Sequence, residues 1–341
     1  MARKITMTEI AAACGVSQAT VSLVLNNAPG TRISSTTREL VLRTAKDLGY
    51  VPPARTAGRR PVIAMLIDEV TSTPHVGGLI AGVAAAANDA GFLVSVMPTA
   101  ADGAAEHAAL SFLAQLPVAG VIYARLVTQE VTLPPRVTDY PCILLNCYEG
   151  GDRVPAVIPG DQAAGVTAVL SLLDAGHRRI AYIGGEDSIE ASIERLKGYR
   201  RALATRDVPY DPSLVVKGGY TIAGGHSGMK RLLTLADPPT AVFCFCDRTA
   251  LGVYTAAAEA GLTIGRDLSV IGFDNEAFTA DMAPPLTTMV LPHADMARHV
   301  VDELVSWITQ QKPPARPNRL KFDCQLITRA STGPLLVRQP A

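Results

Sequence analysis

Polar residues follow a series of short apolar runs that have the length and composition of buried strands. Parallel sheets bind ligands beyond the carboxyl ends of their strands, so side chains at these positions share one edge of a sheet. Most residues at these positions carry carboxylate, amide or thiol groups. The residues that follow the strands are Asp68 with Glu69, Asn146, Gly184 with Gly185, Cys246 with Asp247, and Asp274 with Asn275. Because such groups bind hydroxyls, we expect a polar binding cleft.

Motifs for catalysis are absent around this cleft. The sequence has no phosphate-binding loop of the GxxxxGKS or GxxxxGKT form, no GxGxxG after the first strand, no HExxH and no nucleophile-base signature. The six cysteines include no CxxC pair and no histidine at ligand spacing, which predicts buried thiols in a reducing compartment. We therefore expect binding without enzyme activity, cofactor, zinc site or disulfide framework.

A second candidate surface lies in GVSQATVSLVL, residues 15–25. Gln18 can bond an adenine edge through both amide groups, while Ala19 and Leu23 can contact thymine methyl groups. Short polar side chains suited to phosphate contacts complete the set: Ser17, Thr20, Ser22 and Asn26. This stretch therefore has the residue types of a DNA-reading helix.

The charge distribution favours contact between this end of the chain and a polyanion. The 341 residues are 48% apolar and formally neutral, yet residues 1–60 hold nine basic side chains against three acidic ones, a net charge of +6. The remainder then carries −6. Neutralising phosphates releases counterions, so a basic head on an acidic body is typical of a nucleic-acid-binding head. From charge alone, a solvated basic surface is the alternative.

Three helices are predicted to position the DNA-reading residues. Thr6, with a glutamate three residues later, forms a capping box that opens a helix over about residues 7–14. Gly15 permits a tight turn, and Ser17 can cap a second helix. A third helix is expected to have Ser34 or Ser35 as its N-cap. Two helices joined so tightly predict a helix-turn-helix, and a helical hairpin with a solvated polar face is the alternative.

From residue 62 onward, strand patterns alternate with helical patterns, which predicts an α/β core of doubly wound parallel sheets. Helical patterns include VGGLIAGVAAAANDAG, DQAAGVTAVLSLLDAG, IERLKGYRRALATR and RTALGVYTAAAEAG. The strand candidates are 62–67, 92–97, 120–124, 142–146, 179–184, 241–245 and 269–273. The chain thus combines a small all-α head with a larger α/β body.

The segments ITMTEIAAACGVSQATVSLVLNN, TREL and LGYVP resemble the DNA-binding head of the lactose and galactose repressor family. The resemblance implies that Gln18, Ala19 and Leu23 occupy the family's base-reading positions. Leu23 stands where the family often has a basic or polar residue, so we expect a thymine or methyl-rich step where relatives read guanine. The full set of expected DNA contacts adds Thr6, Ser17, Thr20, Ser22, Asn26, Arg32, Ser34, Tyr50, Arg55 and Arg59.

The linker, residues 51–61, departs from the family pattern. VPPARTAGRRP is short by about four residues, near one helical turn, and it contains no leucine to wedge into a minor groove. Two prolines and a glycine also discourage a long helix. Arg55, Arg59 and Arg60 could instead enter a narrow minor groove by charge, and a plain flexible linker is the equal alternative.

The body resembles the family's effector-binding core through DAGHRRIAYIGG, RLKGYRRAL, ALGVYTAAAEAGL, DLSVIGFDN, PPLTT and LITRAST. This resemblance implies two lobes of periplasmic-binding-protein type. We expect a DNA-binding domain at 1–50, a hinge linker at 51–61 and a core at 62–341. Lobe 1 is expected at about 62–160 and 292–322, and lobe 2 at about 163–289 and 324–341, with crossovers near 159–162, 289–292 and 322–324.

Residue by residue, the resemblance implies that Arg195 grips ligand hydroxyls and that Asp274 faces it, with Asp161 at a crossover and Tyr220 as an aromatic flank. An arginine fork opposite an aspartate suits a sugar or polyol. The expected effector-binding set is Asp68, His75, Asn146, Asp161, Arg195, Tyr220, Cys246, Asp274, Leu291 and His293. Structural roles remain as alternatives: helix caps for Asp161 and Asp247, a surface position for Arg195 and a core position for Tyr220. His177 is expected to serve the fold.

Two departures bear on the effector. Cys246 stands where the family usually has an asparagine, and Leu291 where it often has a glutamine. A buried sugar hydroxyl left unpaired costs about 1–3 kcal/mol. The expected effector is therefore a deoxy, modified or partly apolar relative of a hexose.

The expected assembly is a homodimer, because a palindromic operator in double-stranded DNA has twofold symmetry. The end GPLLVRQPA is too short for a leucine-heptad tail. The start lacks the apolar core of a signal peptide, and no run reaches roughly 18 apolar residues, so we expect a cytoplasmic repressor without membrane contact. A constitutive DNA binder with a vestigial cleft and a sugar-binding protein without regulatory role are the alternatives.

Overall fold

The computed structural model describes residues 5–25, 33–50, 60–71, 75–314 and 319–335. The chain forms two compact units, Met1–Arg59 and Arg60–Ala341, here called the head and the core. Among the expected site residues, Asn26, Arg32, Arg55 and Arg59 lie outside the described residues, as does the side chain of His75. The expected minor-groove role of the linker therefore stays a prediction for Arg55 and Arg59.

The head contains α1 (Met7–Cys14), α2 (Gln18–Leu25) and α3 (Ser35–Asp47). The predicted caps are confirmed: Thr6 and Glu9 form a capping box, Ser34 caps α3, and Gly15 adopts the left-handed conformation with φ 63°. The directions of α1 and α2 differ by 108°, as expected of a helix-turn-helix. The helices bury a small core of Ile10, Ala11, Val21, Val24, Val41 and Ala45.

The core contains the following strands and helices. The strands are β1 (Val62–Ile67), β2 (Leu93–Pro98), β3 (Val118–Glu130), β4 (Cys142–Tyr148), β5 (Ala156–Pro159), β6 (Ile180–Gly184), β7 (Val215–Lys217), β8 (Ala241–Cys244), β9 (Ser269–Asp274), β10 (Thr287–Val290), β11 (Arg319–Phe322) and β12 (Leu326–Ile327). The helices are α4 (His75–Asp89), α5 (Gly103–Leu113), α6 (Asp161–Asp174), α7 (Glu190–Thr205), α8 (Ile222–Leu233), α9 (Asp247–Glu259) and α10 (His293–Gln310).

These elements form two lobes, each around one six-stranded sheet. The strand order is β11-β5-β4-β3-β1-β2 in lobe 1 and β12-β10-β9-β8-β6-β7 in lobe 2. The pairing is parallel except between β10 and β12. The chain passes from one sheet to the other after β5, after β10 and after β11. The expected doubly wound α/β fold is confirmed.

Close packing of α6 on α7 sets the position of one cleft residue. A Cβ on Gly198 would lie 2.3 Å from the carbonyl oxygen of Gln162, so only glycine permits this approach. Arg195 lies one turn before Gly198 and is thereby brought against the start of α6. The tight helix pair therefore places an arginine beside Asp161.

Arg60, one of the three arginines considered for a minor groove, makes hydrogen bonds within lobe 1. Its guanidinium donates hydrogen bonds to the side-chain oxygen of Asn88 at 2.9 Å and to the carbonyl oxygens of Asn88, Gly91 and Phe92 at 3.0, 3.2 and 2.6 Å. These carbonyls end α4 and lead into β2. Because its donors are engaged there, Arg60 anchors the first residues of lobe 1.

The six cysteines are free thiols, and all but Cys14 are buried, as expected. Within the described residues no single helix is long and apolar enough to cross a membrane. Helices α1 and α2 together have the length and apolar composition of a membrane-spanning segment, but a bend of 108° separates them.

Candidate functional site

The head exposes the candidate DNA-reading face of α2. Gln18 and Ala19 are exposed and Leu23 is 39% exposed, whereas Val21 and Val24 on the opposite face are buried. Buried and exposed residues alternate at helical spacing because the apolar stripe of α2 packs against α1 and α3. The three side chains at the expected base-reading positions therefore share one accessible face.

Several expected phosphate contacts also have structural partners within the head. The Ser17 hydroxyl accepts a hydrogen bond from the Thr20 backbone N–H at 3.0 Å and so caps α2. Ser34 accepts from the Thr37 N–H at 3.1 Å, and Tyr50 packs against the head core. Thr6, Ser17 and Ser34 remain exposed, so capping leaves their hydroxyls accessible from outside.

The core contains a cleft between its lobes, here defined by the residues that line it. Seven of them belong to the expected effector-binding set: Asn146, Arg195, Tyr220, Cys246, Asp274, Leu291 and His293. Eight other lining residues were not predicted from the sequence: Leu126, Val127, Thr128, Pro159, Ala191, Phe245, Arg248 and Glu276. Asp68 and Asp161 are absent from the lining, so the cleft unites most of the expected set but not all of it.

Arg195 is buried at the bottom of the cleft, with 4% exposure, and does not lie on the surface. Its Nε donates to Asp161 at 2.7 Å and its Nη1 donates to the Phe245 carbonyl oxygen at 2.5 Å. The guanidinium carbon lies 3.3 Å from the ring centroid of Phe273. Burial lowers the pKa of Arg195, but Asp161 and Asp274 more than compensate and raise it above its ordinary value. The guanidinium is therefore a fixed, charged donor.

Asp161 reaches the cleft only through this arginine. The N-cap of α6 is Gly160, and Asp161 is the first residue of the helix, so the alternative of a cap is wrong. Its side chain is 3% exposed and is paired with Arg195. Asp161 therefore orients the arginine.

Asp274 ends β9 with its carboxylate in the cleft. Its φ of 106° lies in the region that favours glycine, and Asn275 follows with φ 56°. Burial raises the pKa of Asp274 well above its ordinary value; Arg195 lowers it, and Asp247 and Glu276 raise it further. The shift of this pKa has burial and neighbouring charges as its causes, and no hydrogen bond from the described part of the chain contributes to it. Asp274 is thus an acceptor available to a ligand.

Tyr220 presents a second polar group without a partner. Its hydroxyl oxygen is buried and has no hydrogen-bond partner among the described residues. Its ring stands edge-on to Phe245, with centroids 4.8 Å apart. A buried hydroxyl left unpaired costs free energy, so the Tyr220 hydroxyl is suited to a hydrogen bond with a bound polar group.

Asn146 lines the cleft, but its amide is already used. Its nitrogen donates to the carbonyl oxygens of Arg125 and Leu126 at 3.0 and 2.8 Å, and its oxygen accepts from the Thr128 hydroxyl at 2.7 Å. These contacts hold the irregular stretch of β3 between Ala124 and Gln129. The structure therefore gives Asn146 a positioning role that the sequence did not predict.

Asp68 also supports β3 and lies outside the cleft lining. Its carboxylate accepts from the backbone N–H groups of Leu126 and Glu69 at 2.7 and 3.0 Å. Desolvation raises the pKa of Asp68, while these hydrogen bonds and Arg125 act in the opposite direction. The expected contact between Asp68 and the effector stays a prediction, and in the structure the carboxylate supports β3.

Cys246 and Asp247 join the end of β8 to α9. The Cys246 thiol lies 3.2 Å from the Thr249 hydroxyl, and burial raises its pKa to about 11, so the cleft faces a neutral thiol. The cap of α9 is Cys246, and the Asp247 carboxylate instead accepts hydrogen bonds from Glu276 and Thr288. The alternative that Asp247 caps its helix is therefore wrong.

His177 serves the fold, as expected. Its ring nitrogens lie 2.9 Å from the Thr240 hydroxyl and 3.1 Å from the Ser269 hydroxyl. Desolvation lowers the pKa of His177, which favours the neutral ring.

The two walls of the cleft differ in polarity. Lobe 1 and its crossovers contribute the apolar side chains Leu126, Val127, Pro159 and Leu291, together with Thr128, Asn146 and His293. Lobe 2 contributes Arg195, Tyr220, Phe245 and the carboxylates Asp274 and Glu276, with Glu276 3.4 Å from Arg248. A ligand held here meets charged and hydrogen-bonding groups on one side and a mixture of apolar and polar side chains on the other.

One side-chain hydrogen bond joins the lobes beside the cleft. The Tyr148 hydroxyl, at the end of β4, donates to Glu190 at the start of α7 at 2.6 Å. Burial and this bond raise the pKa of Tyr148 to about 12. Because α7 also carries Arg195, the contact links lobe 1 to a helix that forms the cleft.

Comparisons with known proteins agree with both halves of this structure. Residues 6–53 match the family model for bacterial regulatory proteins of the lacI family, and residues 169–332 match that for a periplasmic binding protein-like domain. The HTH-type transcriptional repressor CytR of Escherichia coli (strain K12) is 32% identical over 341 residues, which cover 97% of each chain.

Two solved structures extend the likeness. The complex of the transcriptional regulator CelR with cellobiose is 30% identical, with a TM-score of 0.67 over 96% of this chain and 100% of that chain. The lac repressor dimer bound to operator and the anti-inducer ONPF is 25% identical, with a TM-score of 0.71 over 97% of this chain and 100% of that chain.

Proposed function

The chain belongs to the lacI family of bacterial regulatory proteins, and we propose that it is a repressor controlled by a sugar or sugar-like effector. The resemblance to the lactose and galactose repressors and the predicted combination of head and two-lobed core are confirmed. The observation that carries the proposal is the face of Gln18, Ala19 and Leu23, which α2 exposes within the matched segment.

On DNA, the head is proposed to insert α2 into the major groove. Gln18 reads an adenine edge, and Ala19 and Leu23 contact methyl groups. One head reads too few base pairs to be specific, so a homodimer places two heads on a palindromic operator. The lac repressor structure contains such a dimer on operator DNA, which supports the same assembly here.

In the cleft, the effector is proposed to supply hydroxyl groups to lobe 2. The Asp274 carboxylate accepts from them, and the Arg195 guanidinium and the unpartnered Tyr220 hydroxyl complete the polar contacts. Leu126, Val127 and Leu291 favour an apolar, deoxy or modified face on the opposite side. CelR binds cellobiose in its solved complex, and this likeness supports a carbohydrate or carbohydrate-like ligand.

Control of DNA binding is proposed to follow from lobe movement. A ligand changes operator affinity only to the extent that it binds one lobe arrangement more tightly than another. Arg195 and Glu190 lie on the same helix, so a ligand that shifts α7 also changes the Tyr148–Glu190 bond between the lobes. The relatives are transcriptional regulators, and we propose that this chain likewise has no catalytic role.

The test combines thermal unfolding with operator binding. Wild-type protein is heated with each member of a panel of monosaccharides, disaccharides and deoxy sugars, and a stabilising sugar is then added to protein bound to its selected DNA site. Asp274→Asn should abolish the stabilisation, whereas Asp237→Asn, an exposed position in the same lobe, should retain it. Stabilisation without any change in DNA affinity would support a constitutive DNA binder instead.

A further inference from the structure

The loop that carries the acidic side chains of the cleft has a strained backbone. Asp274 and Asn275 are consecutive non-glycine residues with φ of 106° and 56°. Such conformations persist only where the surrounding structure holds them. Glu276, the next residue, lines the cleft beside Asp274. The direction of both carboxylates therefore depends on whatever fixes residues 274–276.

A buried carboxylate beneath the loop provides the first anchor. Asp247 is fully buried, and its Oδ2 accepts a hydrogen bond from the Glu276 backbone N–H at 2.8 Å. Its Oδ1 accepts from the Thr288 hydroxyl of β10 at 2.6 Å. A Cβ on Gly272 would lie 2.2 Å from this Oδ1, so the glycine makes room for the carboxylate. Asp247 thus ties the loop to the strand that leads into the crossover at Leu291.

An arginine from the C-terminal segment provides the second anchor. Arg329 Nη2 donates to the Asn275 side-chain oxygen at 2.8 Å. Its Nη1 donates to the Leu286 carbonyl oxygen at 2.6 Å and to the Thr279 hydroxyl at 3.1 Å. Neither Arg329 nor Asp247 lines the cleft. Two side chains from separate segments therefore hold the two residues that follow Asp274.

We propose that Asp247 and Arg329 are positioning residues for effector binding, which hold residues 274–276 so that the Asp274 and Glu276 carboxylates face the ligand. The proposal rests on the proposed function in that an effector occupies the cleft. It assigns a binding role to two residues that do not touch the ligand. It also explains why an acidic residue is buried without a direct charge partner at the start of α9.

Hydrogen–deuterium exchange in the ligand-free protein tests the anchoring without reference to any ligand. Asp247→Ala and Arg329→Met should raise exchange in residues 275–282 at least ten-fold, with little change elsewhere in lobe 2. Tyr199→Phe is the matched control, because it removes a buried hydrogen bond to the Ile180 carbonyl oxygen away from the cleft. Unchanged exchange at residues 275–282 in both folded variants would overturn the proposal.

Ligand affinity tests the consequence, with the panel sugar that most stabilises the wild type as the probe. At a temperature where all variants are folded, Asp247→Ala and Arg329→Met should raise its Kd at least ten-fold, and Tyr199→Phe should leave it within two-fold. Asp247→Asn should restore binding, because its amide can accept from Glu276 and donate to Thr288. Unchanged Kd in the Ala and Met variants would overturn the positioning role. If no sugar binds the wild type, the proposed effector fails, and the exchange measurement alone decides the anchoring.

Discussion

The buried pair of Arg195 and Asp161 allows stability to be separated from ligand binding. The two side chains are 4% and 3% exposed and are joined by a 2.7 Å hydrogen bond. Replacing Arg195 with Met leaves the Asp161 charge buried without its partner and removes the donor to the Phe245 carbonyl oxygen. Breaking a buried pair from one side costs about 3–5 kcal/mol, so we expect Arg195→Met to lower the free energy of unfolding of the core by this amount.

The companion variants make the reasoning testable. Asp161→Asn should cost less than Arg195→Met, because the remaining arginine still interacts with Asp274. The double variant leaves no Asp161 charge buried without its partner, so it should be more stable than Arg195→Met alone. None of the variants that lack Arg195 should bind the effector.

The assay is urea unfolding of the full-length protein, followed by circular dichroism, in a complete double-mutant cycle. The stabilising sugar is added in a parallel series. Losses below about 1 kcal/mol for Arg195→Met, or a coupling energy near zero, would refute the claim that the pair is an energetic unit. Full sugar binding by the double variant would refute a direct role for Arg195.

Three further outcomes are expected. Val21→Asp places a charge in the small head core and should abolish DNA binding while the unfolding of the sugar-binding core stays unchanged, as circular dichroism and a DNA shift assay would show. Leu23→Arg should change the preferred base at one symmetric pair of operator positions toward guanine; site selection that returns an unchanged preference at every position would contradict the reading of Leu23. Burial raises the pKa of Asp247 from 3.8 to about 7, so the folded protein favours the neutral carboxyl and this contribution to stability is lost as pH rises through about 7. Asp247→Asn stays neutral, so its free energy of unfolding should rise relative to that of the wild type as pH increases from about 4 to 7. One pKa unit corresponds to about 1.4 kcal/mol, which makes the expected gain a few kcal/mol. A difference between the two proteins that does not depend on pH in urea unfolding would contradict the assignment.

The local parts of the fold were predictable because their causes lie within a few residues. Thr6, Ser17 and Ser34 cap helices through groups two or three positions away. The main strands follow from continuous apolar runs. The strand β5 was not predicted, because its four residues are too few for a clear pattern. The 18-residue helix α10 was not predicted either, although its buried residues Met296, Val300 and Leu304 have the spacing of a helix.

The cleft was predictable only in part. Position after a strand identified Asn146, Cys246 and Asp274, and the family resemblance identified Arg195 and Tyr220. No sequence pattern could show that the Asn146 amide forms hydrogen bonds with β3, because its partners lie 18 to 21 residues away. The strand-end signal could have been extended to Arg248 and Glu276, each one position beyond a pair that follows a strand. Val127 and Thr128 line the cleft because β3 is irregular between Ala124 and Gln129. The local sequence has no pattern that predicts this irregularity.

The central claim is that the exposed face of α2 reads DNA and that the core controls this reading. The most direct test is selection of binding sites from a random duplex pool by the full-length protein, followed by titration of the selected site with and without the stabilising sugar. The account predicts a palindrome of two half-sites, bound at least a thousand-fold more tightly than scrambled DNA, with an affinity that the sugar changes and a specificity that Gln18→Ala weakens. Equal binding of selected and scrambled DNA, both with and without the sugar panel, would contradict it.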